Sequence, residues 1–82
     1  MLELRYFAWL RERLGTEREA VETDAATIGE LVAELRAKSD RHAHVFADMS
    51  AIRAAVDQEL VAMDAAIGGA REVAFFPPMT GG

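Results

Sequence analysis

The chain has 82 residues, a length that fits a single domain. It contains no cysteine, which excludes disulfides, thiolate metal sites and a cysteine nucleophile. Nine basic and fourteen acidic residues give a formal charge of −5, which argues against nucleic acid or an anionic membrane as a partner. The negative charge fits docking onto a basic protein surface, and it fits solubility alone equally well.

The sequence has no apolar run approaching the roughly 18 residues of a membrane span. Its first residues also lack the charged and apolar regions of a secretory signal. These features favour a cytoplasmic protein.

The first residues alternate between apolar and polar side chains. This alternation over residues 2–8 predicts a strand with one buried face. Phe7 falls on the polar face, where a large aromatic gains meaning only if another aromatic lies beside it. The spacing of Leu10 and Leu14 then predicts a short helix that ends at Gly15.

The clearest helix follows a short second strand, predicted for residues 17–23 and antiparallel to the first. Thr27 and Glu30 have the spacing of a capping box and mark the helix start. Glu34 and Lys38 are four residues apart, in the order that favours an ion pair. One apolar stripe at helical spacing predicts the buried face of this helix: Ile28, Leu31, Val32 and Leu35.

A further short helix is predicted within residues 40–49, capped by Asp40. His42 and His44 lie in this segment, but side chains two residues apart on a helix point in different directions. The sequence offers neither a cysteine nor a third histidine as a further ligand. We therefore expect no metal site.

The remaining strands are predicted at residues 52–56, 60–62 and 71–76. In the last of them, Val73 and Phe75 share one face and Phe76 lies on the opposite one. One main helix packed across a mixed sheet, with additional short helices, is an α+β two-layer arrangement.

The tail after the last strand changes character at two prolines. Pro77 and Pro78 have no backbone N–H, so they end the sheet and favour an extended path. Gly81 and Gly82 have no Cβ and can enter a channel too narrow for other residues. The pattern predicts that the carboxylate of Gly82 is held at a distance from the body of the domain. A Gly-Gly pair by itself is also typical of a flexible tail.

The ending Val-Ala-Phe-Phe-Pro-Pro-Met-Thr-Gly-Gly resembles that of the molybdopterin synthase small subunit family. The resemblance runs the full length, with further similar segments at residues 6–12, 27–31 and 54–58. Met79 stands where this family often has valine or alanine. Thiazole-pathway sulfur carriers and ubiquitin share the Gly-Gly pair, so the Phe-Phe-Pro-Pro segment is the more specific part.

The resemblance implies a ubiquitin-like β-grasp fold, an α+β domain whose mixed sheet packs against one main helix. It implies one domain over residues 1–82, with a flexible tail at residues 79–82. The first and last strands of a β-grasp lie side by side, which would make Phe7 and Phe76 outward neighbours. Adjacent exposed aromatics are typical of an interface. The partner-binding residues expected beside them are Arg11, Leu60, Pro77 and Pro78.

The resemblance also implies chemistry at Gly82. An ATP-dependent adenylating enzyme activates its carboxylate, and a sulfur donor protein supplies the sulfur of a thiocarboxylate. Thr80, Gly81 and Gly82 then enter the large subunit, where a pyranopterin precursor takes the sulfur to form the molybdopterin dithiolene. The domain itself is expected to bind no cofactor, and its assembly is expected to be a heterotetramer. Acid–base groups would come from its partners.

Three other functions remain open from the sequence. The chain could carry sulfur for another pathway, such as thiazole synthesis. It could be a ubiquitin-like modifier joined through Gly82 to lysines of target proteins. It could also be a protein-interaction module whose flexible tail has no function.

Overall fold

The computed structural model describes residues 1–78, so the expectations for Met79, Thr80, Gly81 and Gly82 lie outside the described residues. The elements follow the order expected from the sequence. They are β1 (Leu2–Tyr6), α1 (Ala8–Leu14), β2 (Arg18–Val21), α2 (Ile28–Lys38), α3 (Asp40–Val45), a 3₁₀ helix (Met49–Ala51), β3 (Arg53–Val56), β4 (Glu59–Val61) and β5 (Glu72–Phe76).

The five strands form one mixed sheet in the order β2-β1-β5-β3-β4. The central pair, β1 and β5, is parallel, and the other neighbours are antiparallel. The parallel pairing places the first strand beside the strand that leads into the tail. The α+β arrangement predicted from the sequence is confirmed.

The main helix α2 begins as its capping box predicts. The Thr27 hydroxyl accepts a hydrogen bond from the Glu30 N–H at 3.2 Å, which satisfies one of the free donors at the helix start. The apolar stripe is buried on the sheet, with Leu31 exposed by only 1% and Leu35 by 2%. These residues share one core with Leu4 and Val73. The predicted packing of helix on sheet is therefore confirmed.

The core has an aromatic centre that connects the end of α3 to the sheet. The rings of Phe46 and Phe75 meet edge to face with centroids 5.0 Å apart. Tyr6 lies 6.4 Å from the first ring and 6.3 Å from the second. All three side chains are almost completely buried, so β1, β5 and α3 are held by one cluster.

The predicted cap of α3 is wrong. Ser39 caps this helix, because its hydroxyl accepts from the His42 N–H at 3.1 Å. Asp40 is the first residue inside the helix, where an acidic side chain favours the positive helix end. Ser39 also ends α2, so this single extended residue separates the two helices.

The sequence spacing favoured an ion pair between Glu34 and Lys38, but each side chain instead contacts a residue outside α2. The Lys38 ammonium lies 3.0 Å from a Glu19 carboxylate oxygen. The Glu34 carboxylate accepts a hydrogen bond from the Thr23 hydroxyl. Both residues of the helix therefore tie α2 to the segment around β2.

The turn between β3 and β4 is a tight hairpin. Asp57 and Gln58 have φ values of 47° and 73°, the pattern of a two-residue type I′ turn. The Asp57 carboxylate also accepts from the N–H groups of Arg71 and Glu72, both at 3.0 Å. This side chain therefore fixes the hairpin to the start of β5.

Candidate functional site

The outer face of the sheet, opposite α2, carries three of the residues expected to bind partners, Phe7, Leu60 and Phe76. Strand register places Arg5 beside Ala74, Ala74 beside Ala55, and Ala55 beside Leu60. The two alanines are small and nearly buried, each 8% exposed. The centre of this face is therefore a shallow depression that larger side chains surround.

Phe7 and Phe76 lie together at one end of this face, as the sequence predicts. Tyr6 pairs with Phe75 in the parallel ladder, so Phe7 and Phe76 follow as the next residues on each strand. They line a single depression of about 510 Å³ with Arg5, Gln58, Glu72 and Ala74. Phe7 is 40% exposed, and Phe76 is partly buried. We call this feature the aromatic depression.

A strained residue directs the chain away after Phe7. Phe7 is still extended, but Ala8 has a φ of 54°. This left-handed conformation costs a residue with a Cβ roughly 1–2 kcal/mol. It lets α1 start at once, so Phe7 stands at the point where strand becomes helix.

The other predicted partner-binding residues lie around the aromatic depression and do not line it. Leu60 is 70% exposed on the edge strand β4. Arg11 projects from α1, with its guanidinium 4.0 Å from the Glu17 carboxylate. Pro77 and Pro78 follow β5 directly and are partly buried. Their role in binding remains a prediction.

Arg5 is a site residue that sequence reasoning missed. Its guanidinium carbon lies 5.3 Å from the centre of the Phe7 ring, within the range of a cation–π contact. Within residues 1–78, its nearest carboxylate is that of Glu72, 4.0 Å away. The alternation of β1 already placed Arg5 on the same face as Phe7, and that signal could have found it.

A second polar cluster lies at the opposite edge, between β2 and the helices. One Glu19 carboxylate oxygen accepts from the Tyr6 hydroxyl at 2.7 Å and lies 2.9 Å from His42 Nε2. The other oxygen pairs with Lys38. This cluster joins β1, β2, α2 and α3 through one carboxylate.

The pKa values in this cluster follow from its contacts. Burial raises the pKa of the Glu19 carboxyl, but its three donors more than offset burial and lower that pKa from 4.5 to about 2. Burial, followed by the hydrogen bond to Glu19, raises the pKa of the Tyr6 hydroxyl above its ordinary value of 10.0. Glu19 is therefore an anion and Tyr6 a neutral donor over a wide pH range.

The two histidines have partners of their own within the protein. His42 contacts Glu19 and, through Nδ1, the Ser39 hydroxyl at 2.6 Å. His44 Nδ1 lies 2.9 Å from the Asp40 carbonyl oxygen. Residues 1–78 contain no group of three or more histidine and acidic side chains arranged to hold a metal ion. In the same range, no helix is long and apolar enough to cross a membrane.

Comparison with known proteins places this chain in a family. The sequence profile of the ThiS family matches residues 4–82. The chain belongs to the ThiS family. The family match includes the two glycines of the tail.

Two curated relatives match this member of the ThiS family over its full length. It is 42% identical over 82 residues to the molybdopterin synthase sulfur carrier subunit of Escherichia coli (strain K12), covering 100% of both chains. It is 34% identical to the protein of the same name from Haemophilus influenzae, again covering 100% of both.

Solved structures support the fold. The chain is similar to SAMP1 from Haloferax volcanii, with a TM-score of 0.66 and 24% identity over 99% of this chain and 98% of that one. A second structure of small archaeal modifier protein 1 from that organism matches with a TM-score of 0.63 and 22% identity, covering 95% and 97% of the two chains. At this identity the likeness shows the fold alone. The expected ubiquitin-like β-grasp is confirmed.

Proposed function

We propose that this protein is the sulfur carrier subunit of a molybdopterin synthase. The observation that carries the proposal is the full-length 42% identity to the Escherichia coli protein of that name. The second relative has the same name and the same complete coverage. Membership of the ThiS family fits a sulfur carrier role in general, and the two relatives favour this pathway over thiazole synthesis.

The proposed chemistry takes place at the Gly82 carboxylate. A carboxylate is a poor electrophile, so an ATP-dependent partner first converts it to an acyl-adenylate, with pyrophosphate as the other product. A sulfide equivalent from a donor protein then attacks the acyl carbon and AMP leaves. The product is a thiocarboxylate, whose sulfur is a good nucleophile.

In the next proposed step, the tail delivers this sulfur to the large subunit. Thr80, Gly81 and Gly82 enter its active site, where the thiocarboxylate sulfur displaces an oxygen substituent of the pyranopterin precursor. Water then cleaves the acyl carbon–sulfur bond, which leaves the sulfur on the precursor and restores the Gly82 carboxylate. Two such transfers supply the dithiolene of molybdopterin. The tail offers only the Thr80 hydroxyl as a polar side chain, so we assign acid–base catalysis to the large subunit. The small subunit supplies proximity, since it acts as a tethered reagent.

Docking through the aromatic depression would position the tail for this transfer. Phe7 and Phe76 present apolar surface that a partner can cover, and such patches mark interfaces. Pro77 and Pro78 connect this patch directly to the tail, so the docked face and the reactive end are only six residues apart in sequence, from Phe76 to Gly82. We propose that Arg11 and Leu60 extend the contact, in a heterotetramer of two small subunits on a large-subunit dimer.

Intact-mass spectrometry of the protein purified from its own host tests this function. A sulfur carrier yields a species heavier than the carboxylate form by the difference between sulfur and oxygen. A protein modifier instead yields isopeptide conjugates of far larger mass. Failure to find the thiocarboxylate in cells that are actively making molybdenum cofactor, with conjugates present in its place, would contradict the proposal.

A further inference from the structure

The guanidinium of Arg5 is left without a hydrogen-bond partner within residues 1–78. Its Nε is buried, and no acceptor lies within reach of it in this part of the chain. Its Nη1 is 4.0 Å from the Glu72 carboxylate, which is longer than a hydrogen bond. The Arg5 side chain is 33% exposed, so part of it is accessible to a partner.

The position of Arg5 means that a docked partner would cover it. The guanidinium lies over the Phe7 ring and lines the aromatic depression with Phe76 and Ala74. A surface that packs on the two phenylalanines therefore also removes water from Arg5. Once covered, the Arg5 charge would keep the 4.0 Å contact with Glu72, but a buried charge without close hydrogen bonds is unfavourable. A covering surface that brings an acceptor is therefore favoured.

The charge distribution indicates what that acceptor is. By strand register, the outer face carries Arg5, Arg18 and Arg53 against Glu3 and Glu72. This face has a formal charge of +1 on a chain whose formal charge is −5. The expectation of a basic docking partner, drawn from the net charge, is thus not supported at this face, because the excess acidic residues lie elsewhere on the molecule.

We infer that Arg5 is the polar anchor of the docking face and receives an aspartate or glutamate side chain of the partner. The inference rests on the proposed docking through Phe7 and Phe76. A carboxylate fits better than a single carbonyl oxygen because its two oxygens match the planar fork of a guanidinium. The Phe7 ring holds that plane from one side. The partner surface is therefore apolar with an acidic residue at its centre.

The test measures calorimetric affinity for the purified large subunit at low and at high salt. Arg5→Met keeps the apolar stem and removes the charge, whereas Arg5→Lys keeps the charge and removes the fork. Arg36→Met is the matched control, since Arg36 lies on α2, away from the outer face of the sheet, and donates to the Ala47 carbonyl oxygen. Phe76→Ala reports on docking itself. Circular dichroism establishes that each variant is folded.

The inference predicts that Arg5→Met weakens binding by roughly tenfold or more at low salt. Arg5→Lys should fall between Arg5→Met and the wild type, and Arg36→Met should bind within about twofold of the wild type. The affinity of Arg5→Met should also depend less on salt than that of the wild type. In the wild-type complex, the Nε–H resonance of Arg5 should shift, because the new carboxylate lies next to the same guanidinium.

Other results would overturn the inference in distinguishable ways. If Phe76→Ala weakens binding and Arg5→Met does not, docking stands and the role of Arg5 is wrong. If both variants bind like the wild type, docking through this face is wrong as well. Equal losses in Arg5→Met and Arg36→Met would reduce the effect to general electrostatics. If Arg5→Met does not fold, an unchanged Arg5 Nε–H resonance in the wild-type complex rejects the anchor.

Discussion

The backbone N–H of Phe7 donates to the carbonyl oxygen of Phe75 at 3.1 Å. This bond carries the parallel pairing of β1 and β5 one residue beyond the end of β1. It therefore keeps Phe7 in register with Phe76, although the chain enters α1 at Ala8. The candidate docking site and the start of the tail share one surface because of this pairing.

Truncating either phenylalanine should weaken docking without unfolding the domain. We expect Phe7→Ala and Phe76→Ala each to weaken large-subunit binding by roughly 1–3 kcal/mol, because central aromatic contacts dominate interface energies. Leu60→Ala should have a smaller effect, since Leu60 lies outside the aromatic depression. Calorimetry measures the affinities. Wild-type affinity in both phenylalanine variants, or loss of folding, would contradict docking through the aromatic depression.

The packing of α2 predicts a large effect at Leu35. This side chain is only 2% exposed in the core, so Leu35→Ala should lower the free energy of unfolding by roughly 2–5 kcal/mol. The exposed Leu60 provides the control, and Leu60→Ala should change stability by less than about 0.5 kcal/mol. Urea melts compare the two. A Leu35→Ala loss as small as that of Leu60→Ala would mean that the core is wrongly assigned.

The hairpin turn offers a stabilising substitution. Gln58 has a φ of 73°, which costs a residue with a Cβ roughly 1–2 kcal/mol. Glycine avoids this strain, but its larger loss of chain entropy on folding costs about 0.5–1 kcal/mol. We expect Gln58→Gly to raise the free energy of unfolding by about 0.5–1 kcal/mol. Gln58→Ala keeps the strain and should bring no gain. A glycine variant no more stable than the alanine variant would contradict the turn geometry.

The Glu19 cluster predicts a pH dependence of stability. The folded protein holds the pKa of Glu19 at about 2, below its ordinary value of 4.5. A depressed carboxyl pKa adds stability that is fully present above 4.5 and is lost as the pH falls toward 2. Glu19→Gln should therefore be less stable at neutral pH and should lose less stability across this window.

Denaturant melts between neutral pH and about pH 2 would measure this effect. Glu17→Gln is the matched control, because the Glu17 side chain is 65% exposed and its nearest cation is 4.0 Å away. It should keep the wild-type pH profile. If Glu19→Gln and the wild type lose stability in parallel, Glu19 does not contribute as we expect.

The sequence predicted the features that depend on neighbouring residues. The capping box at Thr27, the apolar stripe of α2 and the Gly15 end of α1 all rest on local spacing, and all are present. The alternation of β1 and β5 was sufficient to place Phe7 and Phe76 together, once the side-by-side placement of the first and last strands of a β-grasp was assumed. The tail residues 79–82, on which the proposed chemistry depends, lie outside the described structure.

Several features that sequence reasoning missed depend on contacts between distant parts of the chain, whereas the Ser39 cap of α3 is a local one. Lys38 pairs with Glu19 across nineteen positions instead of with Glu34 on its own helix. The left-handed Ala8 has no sequence signal, because alanine normally avoids that conformation. The formal charge of the candidate docking face, the outer face of the sheet, was not predicted either, because the net charge of a chain does not say which residues share a surface.

We propose that Gly82 donates sulfur as the end of a tether of fixed length. Deleting Gly82 moves the reactive group back by about 3.3–3.6 Å, whereas attack requires reacting atoms about 3–3.5 Å apart. Met79→Val is the matched control, because it changes the tail without changing its length. Neither change should affect docking through Phe76, which lies outside the tail.

The most direct test supplies each protein as a chemically prepared thiocarboxylate to the large subunit with the pyranopterin precursor. This design bypasses the activating enzyme, so only the transfer step is measured. We predict that the wild type and Met79→Val form dithiolene at similar rates and that the Gly82 deletion forms none. Dithiolene formation by the Gly82 deletion at a near-normal rate would contradict the tethered-reagent mechanism.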